Sequence, residues 1–312
     1  MTPGGSSLSQ SVISPGSLSD DPPGVITKSQ FFRILKSQFF AFLKSQFFRS
    51  GSGSKTARAV ATVSVPKQLP IFVGELELGD TFELFPGCKA WSKAHGKIGF
   101  RPTWHCWQEN PEFNMACKKY TRSQLIPLIK SRRRGRKRTF AAMHIGLECT
   151  TYSTMTANLY RTRDEPEMSA RCKLCPKRMA KVENANRYTD NAMDAFDAGC
   201  EEGTLSSFEQ PKGTRLFFKK RMAPIMAKIK EGTLWRIETS YCRWGRKFRG
   251  TRVIVANYPE IQELARPCTH DRHAGFLAAH SIPTKEANPY PTQMCNCWAK
   301  LTLKALIARG GS

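Results

Sequence analysis

Acidic residues are scarce in this chain. Its 25 Asp and Glu stand against 49 Lys and Arg, giving a formal net charge of +24. A compact monomer with that imbalance repels itself unless an anionic partner neutralises it. Nucleic acid is the first candidate partner and an anionic membrane surface the second. The shortage is also local: no acid occurs between residues 113 and 147, nor between 22 and 74. Long apolar runs are missing as well. None reaches the ~18 to 20 residues needed to cross a bilayer, so no transmembrane segment is expected. The chain has no Walker loop, no Gly-x-Gly-x-x-Gly and no His-Glu-x-x-His, which removes the sequence signals for the corresponding nucleotide and zinc-protease chemistries. Its first residues lack the apolar core of a secretory signal. Eleven cysteines cannot all pair within one chain. Together these point to a reducing compartment, cytoplasm or nucleus or an organelle, with free or metal-bound thiols, and not to a secreted disulfide scaffold.

What is present is a cationic run at residues 130–138, carrying Lys130, Arg132, Arg133, Arg134, Arg136, Lys137 and Arg138. Like charges this close repel unless solvent or a polyanion lies among them. Guanidinium forks match phosphate geometry, so the run reads as a nucleic-acid contact that a nuclear import receptor could also recognise. A solvated loop is the plainer explanation of the same letters.

Further along, residues 234–258 read as a β-hairpin, with Trp235, Ile237 and Tyr241 on one face by period two. The hairpin carries Arg243, Arg246, Lys247, Arg249 and Arg252 in and around its turn. A two-stranded ribbon with a cationic tip can follow a groove or a phosphate backbone. Residues 91–120 interleave aromatics with cations. Trp104 and Trp107 are the stacking candidates for unpaired bases, weighed against an ordinary core role for the tryptophans. By contrast, residues 183–209 hold seven acids and one cation. That segment is expected to face away from the ligand or toward a basic neighbour.

Composition divides the chain. Residues 1–27 are Ser, Gly and Pro with few large apolar groups, and read as a disordered tail. Residues 28–50 repeat Lys-Ser-Gln-Phe-Phe three times at a period of eight. As a helix they form an amphipathic basic face that suits a membrane surface, a partner groove or an import receptor. Docking on the chain's own folded part and simple gene-level duplication explain the repeat equally well. Residues 51–58 are a flexible linker. Residues 59–312 are the expected folded region, with a subdivision near residue 150. Within it, strands are expected at 60–65, 75–78 and 81–85. Short helices are expected at 121–130 with a break near Pro127, and at 190–200 capped by Thr189. Others are expected at 223–231, 259–266 and 298–309. The fold class is therefore α+β, a β-rich region with short helices after a disordered N-terminal arm.

Zinc is the one cofactor the residues suggest. Cys172 and Cys175 have knuckle spacing. The remaining ligands are sought first in Cys295 and Cys297, with Cys200 and the Cys268, His270, His273 group as other sources. For catalysis, a DNA-nicking initiator would need His270 and His273 with Tyr241 or Tyr258. A two-metal nuclease would need acids such as Glu148, Asp164, Glu165 and Glu167. Nothing in the spacing ties these residues together, so they point to binding and not to catalysis. The expectation is a basic nucleic-acid-binding protein, a replication or packaging factor of a virus or mobile element that acts by phosphate neutralisation and is able to self-associate. A viral coat protein, a nicking initiator and an organellar ribonucleoprotein component are the rivals.

Overall fold

The structure is a computed structural model that describes residues 78–106, 109–131, 139–156, 158–271, 273 and 289–310. Its centre is a six-stranded mixed sheet flanked by helices, an α+β fold as the sequence leads one to expect. The strands are β1 (Asp80–Leu84), β2 (Arg101–His105), β3 (Phe140–Gly146), β4 (Leu205–Pro211), β5 (Trp235–Ser240) and β6 (Thr251–Ala256). They lie in the order β2-β1-β3-β4-β6-β5. β2, β1, β3 and β4 are mutually parallel, and β6 runs antiparallel between β4 and β5. The expected hairpin is thus real, and its second strand is the one that docks on the parallel part. The four longer helices are α1 (Ala90–Gly96), α2 (Pro176–Glu201), α3 (Ala223–Lys230) and α4 (Thr292–Ala308).

Alternation along the strands sends side chains to two cores. Phe82, Leu84, Met143, Ile145, Phe208, Val253 and Val255 pack with Met193 and Phe196 of α2 and with Leu125 and Ile129. Ala142, Leu205, Ile254 and Ala256 face the other way, onto Trp91 of α1 and Trp298, Leu301 and Ala305 of α4. Both faces of the central strands are covered. This is why β3 and β6 are apolar almost throughout instead of alternating with polar residues. His95 ties α1 to α4, with Nδ1 2.9 Å from the Trp91 carbonyl and Nε2 3.1 Å from Thr302 Oγ1. Burial holds this imidazole neutral, with its pKa pushed down to about 3.

Two helices differ from expectation for physical reasons. Thr189 does not begin a helix: α2 runs from Pro176 through it, and the buried Thr189 hydroxyl lies 2.8 Å from the Tyr152 hydroxyl. Pro127 does not break its segment. Residues 118–130 stay helical because the backbone widens into a π turn at Thr121–Leu125, just before the residue that has no N–H to donate. The helix at 298–309 is longer, starting at Thr292 and so including Cys295 and Cys297. Helix α3 with Pro224 in its first turn, and the 3-10 turn Pro259–Leu264, form where expected. The expected strands at 60–65 and 75–78, the tail and the Phe-rich repeat lie outside the described residues. Among the described residues no helix is long and apolar enough to cross a membrane.

Candidate functional site

Strand order reverses direction at β1. From there β2 lies to one side, while β3 and then β4 lie to the other. In open parallel sheets a crevice opens outside the carboxyl ends of the strands at such a switch point, and ligands bind there. Here the chain turns sharply as it leaves β1. Phe85, Gly87 and Lys89 all have positive φ (56°, 49° and 57°), and the Lys89 N–H donates back to the Pro86 carbonyl at 2.7 Å. Gly146, at the end of β3, allows the two strand ends to meet: a Cβ there would lie 3.0 Å from the Phe85 carbonyl oxygen. A cleft of about 570 Å³ opens beside this turn. Cys88, Lys93 and Lys97 line one wall, and Arg246, Tyr290 and Thr292 the other.

Tyr290 connects the cleft to a buried cluster on the sheet. Its hydroxyl donates to Glu209 Oε2 at 2.9 Å and lies 3.1 Å from His144 Nε2. Glu209 is the fifth residue of β4 and is almost fully buried. Its other oxygen, Oε1, has no hydrogen-bond partner, and Arg252 Nε of β6 stands 3.4 Å from it as an ion pair. Burial pushes the Glu209 carboxyl up, and Arg252 and the Tyr290 hydroxyl pull it down by less. Arg252 Nε also donates to the Tyr241 hydroxyl at 3.0 Å. Burial works against the guanidinium charge, and Tyr241 and Glu209 more than restore it.

Cys149 lies three residues beyond β3, within electrostatic reach of both Arg252 and Glu209. Burial raises its thiol pKa, Arg252 lowers it and Glu209 raises it. Its carbonyl accepts from the N–H groups of Tyr152 (3.0 Å) and Ser153 (2.9 Å), which fixes the thiol on a tight turn. His144 is held neutral by burial, with a pKa near 3, and its Nδ1 lies 3.1 Å from Ser207 Oγ. Glu209 of β4 and Arg252 of β6 therefore form a buried ion pair in which one carboxylate oxygen has no hydrogen bond, and the Cys149 thiol lies within electrostatic reach of both.

The residues singled out from sequence have different fates. Arg132, Arg133, Arg134, Arg136, Lys137, Arg138 and Trp107 lie outside the described residues, while Lys247 is described and exposed. Lys130 is described, and its Nζ makes a 2.9 Å pair with Glu201 at the surface. Trp104 is partly exposed on edge strand β2. Its Nε1 donates to Glu109 at 3.0 Å, with Lys89 Nζ 4.2 Å above the ring. Among the hairpin cations, Arg243 donates to Thr269 Oγ1 at 2.7 Å and Arg246 to the Pro289 carbonyl at 3.4 Å, while Arg249 is exposed. Arg252 is turned inward and belongs to the buried cluster, not to the tip. The acidic stretch has found its basic neighbour within the chain. Lys219 pairs with Asp190 at 3.3 Å, Arg221 with Asp194 (3.0 Å) and Asp197 (2.9 Å), and Lys228 with Asp197 (3.3 Å).

Cys172, Cys175, Cys295 and Cys297 are not brought together as one ligand set. Cys172 is buried in the turn before α2, and Cys295 is buried in α4 beside Ala94 and Ala299. Instead Cys242 joins Cys268, His270 and His273 in the one group among the described residues that can hold a metal ion. Sequence reasoning missed Cys149, Glu209 and Tyr290. The available signal was a glycine closing a largely apolar strand three residues before Cys149; Glu209 sits in a strand of mixed polarity, Leu205–Pro211, that gives none.

No family model matches the chain, and no curated protein matches it. Among solved structures, the chain is similar to a methyltransferase of Entamoeba histolytica, EhMeth, at 13% sequence identity and a TM-score of 0.33. The match covers 57% of this chain and about half (52%) of that one.

Proposed function

We propose that this protein binds nucleic acid and modifies a pyrimidine base in it, with Cys149 as the nucleophile. The observation that carries the reading is Oε1 of the buried Glu209, which has no hydrogen-bond partner and stands 3.4 Å from Arg252 Nε, while Tyr290, bonded to the other oxygen, lines the cleft. A buried polar atom left without a partner calls for an explanation, and a substrate donor supplies one. The net charge of +24 supports a polyanion as the substrate.

The chemistry follows from the three groups. A thiolate is a soft nucleophile and prefers carbon to phosphorus. The carbon in a nucleobase that accepts it by conjugate addition is C6 of a pyrimidine. Glu209 hydrogen-bonds the ring nitrogen or exocyclic amine through Oε1, and Arg252 stabilises charge that develops on the ring carbonyl. Addition of sulfur to C6 makes C5 nucleophilic. C5 then attacks a small electrophilic carbon, methyl being the smallest, on a donor in the cleft, and the bond from that carbon to the donor's leaving atom breaks with its electron pair staying on the departing donor. Loss of the C5 proton and expulsion of the thiolate restore the ring. Lys93, Lys97 and Arg246 favour a donor that carries negative charge. Reaching C6 requires the base to leave its stack.

A second reading is a replication or packaging factor that binds without turnover. The upward push on the Cys149 thiol favours it, because reactive cysteines have lowered values.

One experiment separates them and needs no donor. Reversible addition at C6 lets C5 exchange its hydrogen with solvent. The full chain is incubated with single-stranded and duplex oligonucleotides in D2O, and base deuterium is read by mass spectrometry. The expected result is C5 deuteration that disappears in Cys149→Ser and Glu209→Gln. No deuteration between pH 6 and 9 despite binding in an anisotropy assay overturns catalysis and leaves the second reading. No binding at ~0.1 M salt overturns both.

A further inference from the structure

The turn that ends β5 and the strap that follows the 3-10 turn Pro259–Leu264 meet at four side chains. Cys242 comes from the turn Tyr241–Trp244. Cys268, His270 and His273 come from the strap. Their ligand atoms all lie within 4.8 Å of one another. Cys268 Sγ is 3.6 Å from His270 Nδ1 and 3.0 Å from His273 Nε2. The two rings sit edge to face with centroids 5.2 Å apart, so both present nitrogen toward the sulfur. Zinc–sulfur bonds of about 2.3 Å and zinc–nitrogen bonds of about 2.0 Å set the edges of a ligand tetrahedron at about 3.3 to 3.8 Å. The Cys268–His270 distance already falls in that range, and the Cys268–His273 distance reaches it with a small opening.

The surrounding backbone already holds the ligands in place. The Cys268 N–H donates to Ser240 Oγ at 3.1 Å, and the Ser240 N–H donates to the Arg266 carbonyl at 2.9 Å. Arg266 forms an isolated parallel bridge with Thr239, and its guanidinium lies 4.0 Å over the Trp244 ring. Arg243 reaches across to Thr269. The strap is thus fastened at residues 266–269, where its first ligand sits.

We propose that Cys242, Cys268, His270 and His273 bind one zinc ion in a closed structural site. Two thiolates neutralise the dication, and two imidazoles complete four-coordination with no position left for water or substrate. Sulfur ligands select zinc over magnesium or calcium. The ion's role is to lock the strap to the end of β5, immediately after Tyr241, which holds Arg252. This goes beyond the proposed reaction and stands or falls independently of it.

The test is elemental analysis of the full chain purified under reducing conditions without added chelator, followed by exchange with Co(II). The expected result is one zinc per chain and a cobalt spectrum with tetrahedral d–d bands and thiolate charge-transfer absorption. Both are lost in Cys242→Ser and in His273→Ala, and both are retained in Cys175→Ser. Where a variant does not fold, alkylation of the native chain reads the same site. Bound zinc should protect Cys242 and Cys268 from iodoacetamide, and its removal should expose them. A folded chain with no zinc after reconstitution, full zinc in both ligand variants, or equal alkylation with and without zinc overturns the proposal.

Discussion

Two buried carboxylates on the central sheet make an instructive pair. Glu83 on β1 is 1% exposed and Glu209 on β4 is 6% exposed. Burial pushes both upward, Glu83 to about 7. Glu83 spends one oxygen, Oε2, on the Ser92 N–H (3.1 Å) and the Ser92 hydroxyl, both within the first turn of α1. It faces no guanidinium, and its work is finished inside the fold. Glu209 is held in place by Tyr290 through one oxygen and faces Arg252 with the other unbonded. Burial alone therefore does not mark a functional acid. What separates the two acids is that Glu209 keeps an oxygen without a hydrogen bond beside Arg252.

The largest effect should come from breaking the Glu209–Arg252 pair on one side. Arg252→Met leaves a buried carboxylate without its counter-charge, and urea denaturation should show a loss of about 3 to 5 kcal/mol. Adding Glu209→Gln to that variant should return much of the loss. If the double variant is no more stable than Arg252→Met, the pair is not coupled. Next in size, Glu209→Gln alone should cut base modification by at least about 100-fold, the scale of losing one preorganised hydrogen bond to the reacting ring. Its stability should fall too, because Arg252 is then the buried charge without a partner, while Glu83→Gln should leave the reaction near the parent rate. Equal loss in both variants would erase the distinction drawn between the two acids.

The third expectation concerns pH. The folded pKa of Glu83, about 7, lies above its ordinary 4.5. The folded state thus holds the proton more tightly than the unfolded state, and this contribution is complete below pH 4.5. It fades as pH rises through 7, at up to about 1.4 kcal/mol per pH unit. Glu83→Gln should remove that part of the slope. Its stability relative to the parent should therefore be better at pH 8 than at pH 5, as read from urea midpoints. The smallest effect belongs to the surface: Glu201→Gln, which removes the partner of the exposed Lys130, should leave the urea midpoint close to the parent's.

Local chemistry was legible in the sequence, and convergence was not. Alternation at residues 235–241 and the turn at 245–250 announce β5 and β6. Pro224 and Gly232 frame α3, as both residue types should. The α+β class follows from such local signals. Thr189 misleads because a threonine reads as a cap in sequence, whereas its hydroxyl is spent on Tyr152. The cations of residues 219–228 look available for a polyanion, but α2 uses Lys219, Arg221 and Lys228 for its own acids. The candidate site needs Glu209, Arg252 and Tyr290 to meet, and only the antiparallel pairing of β4 with β6 and the docking of Tyr290 onto β3 and β4 bring them together. The metal group was half visible, since Cys268, His270 and His273 are close in sequence. Cys242 is 26 positions away and joins them only because β5 ends beside the strap.

The wedging of β6 between β4 and β5 also sets a schedule for synthesis. When β4 has left the ribosome its outer edge has no partner, because β5 cannot pair with it and β6 has not yet been made. For that interval the nascent chain offers an open parallel sheet to any other strand it meets. The edge closes only when residues 251–256 emerge, and the second core waits longer still, for Trp298 and Leu301 of α4. Until α4 emerges, the face it shares with Trp91 of α1 is only partly covered.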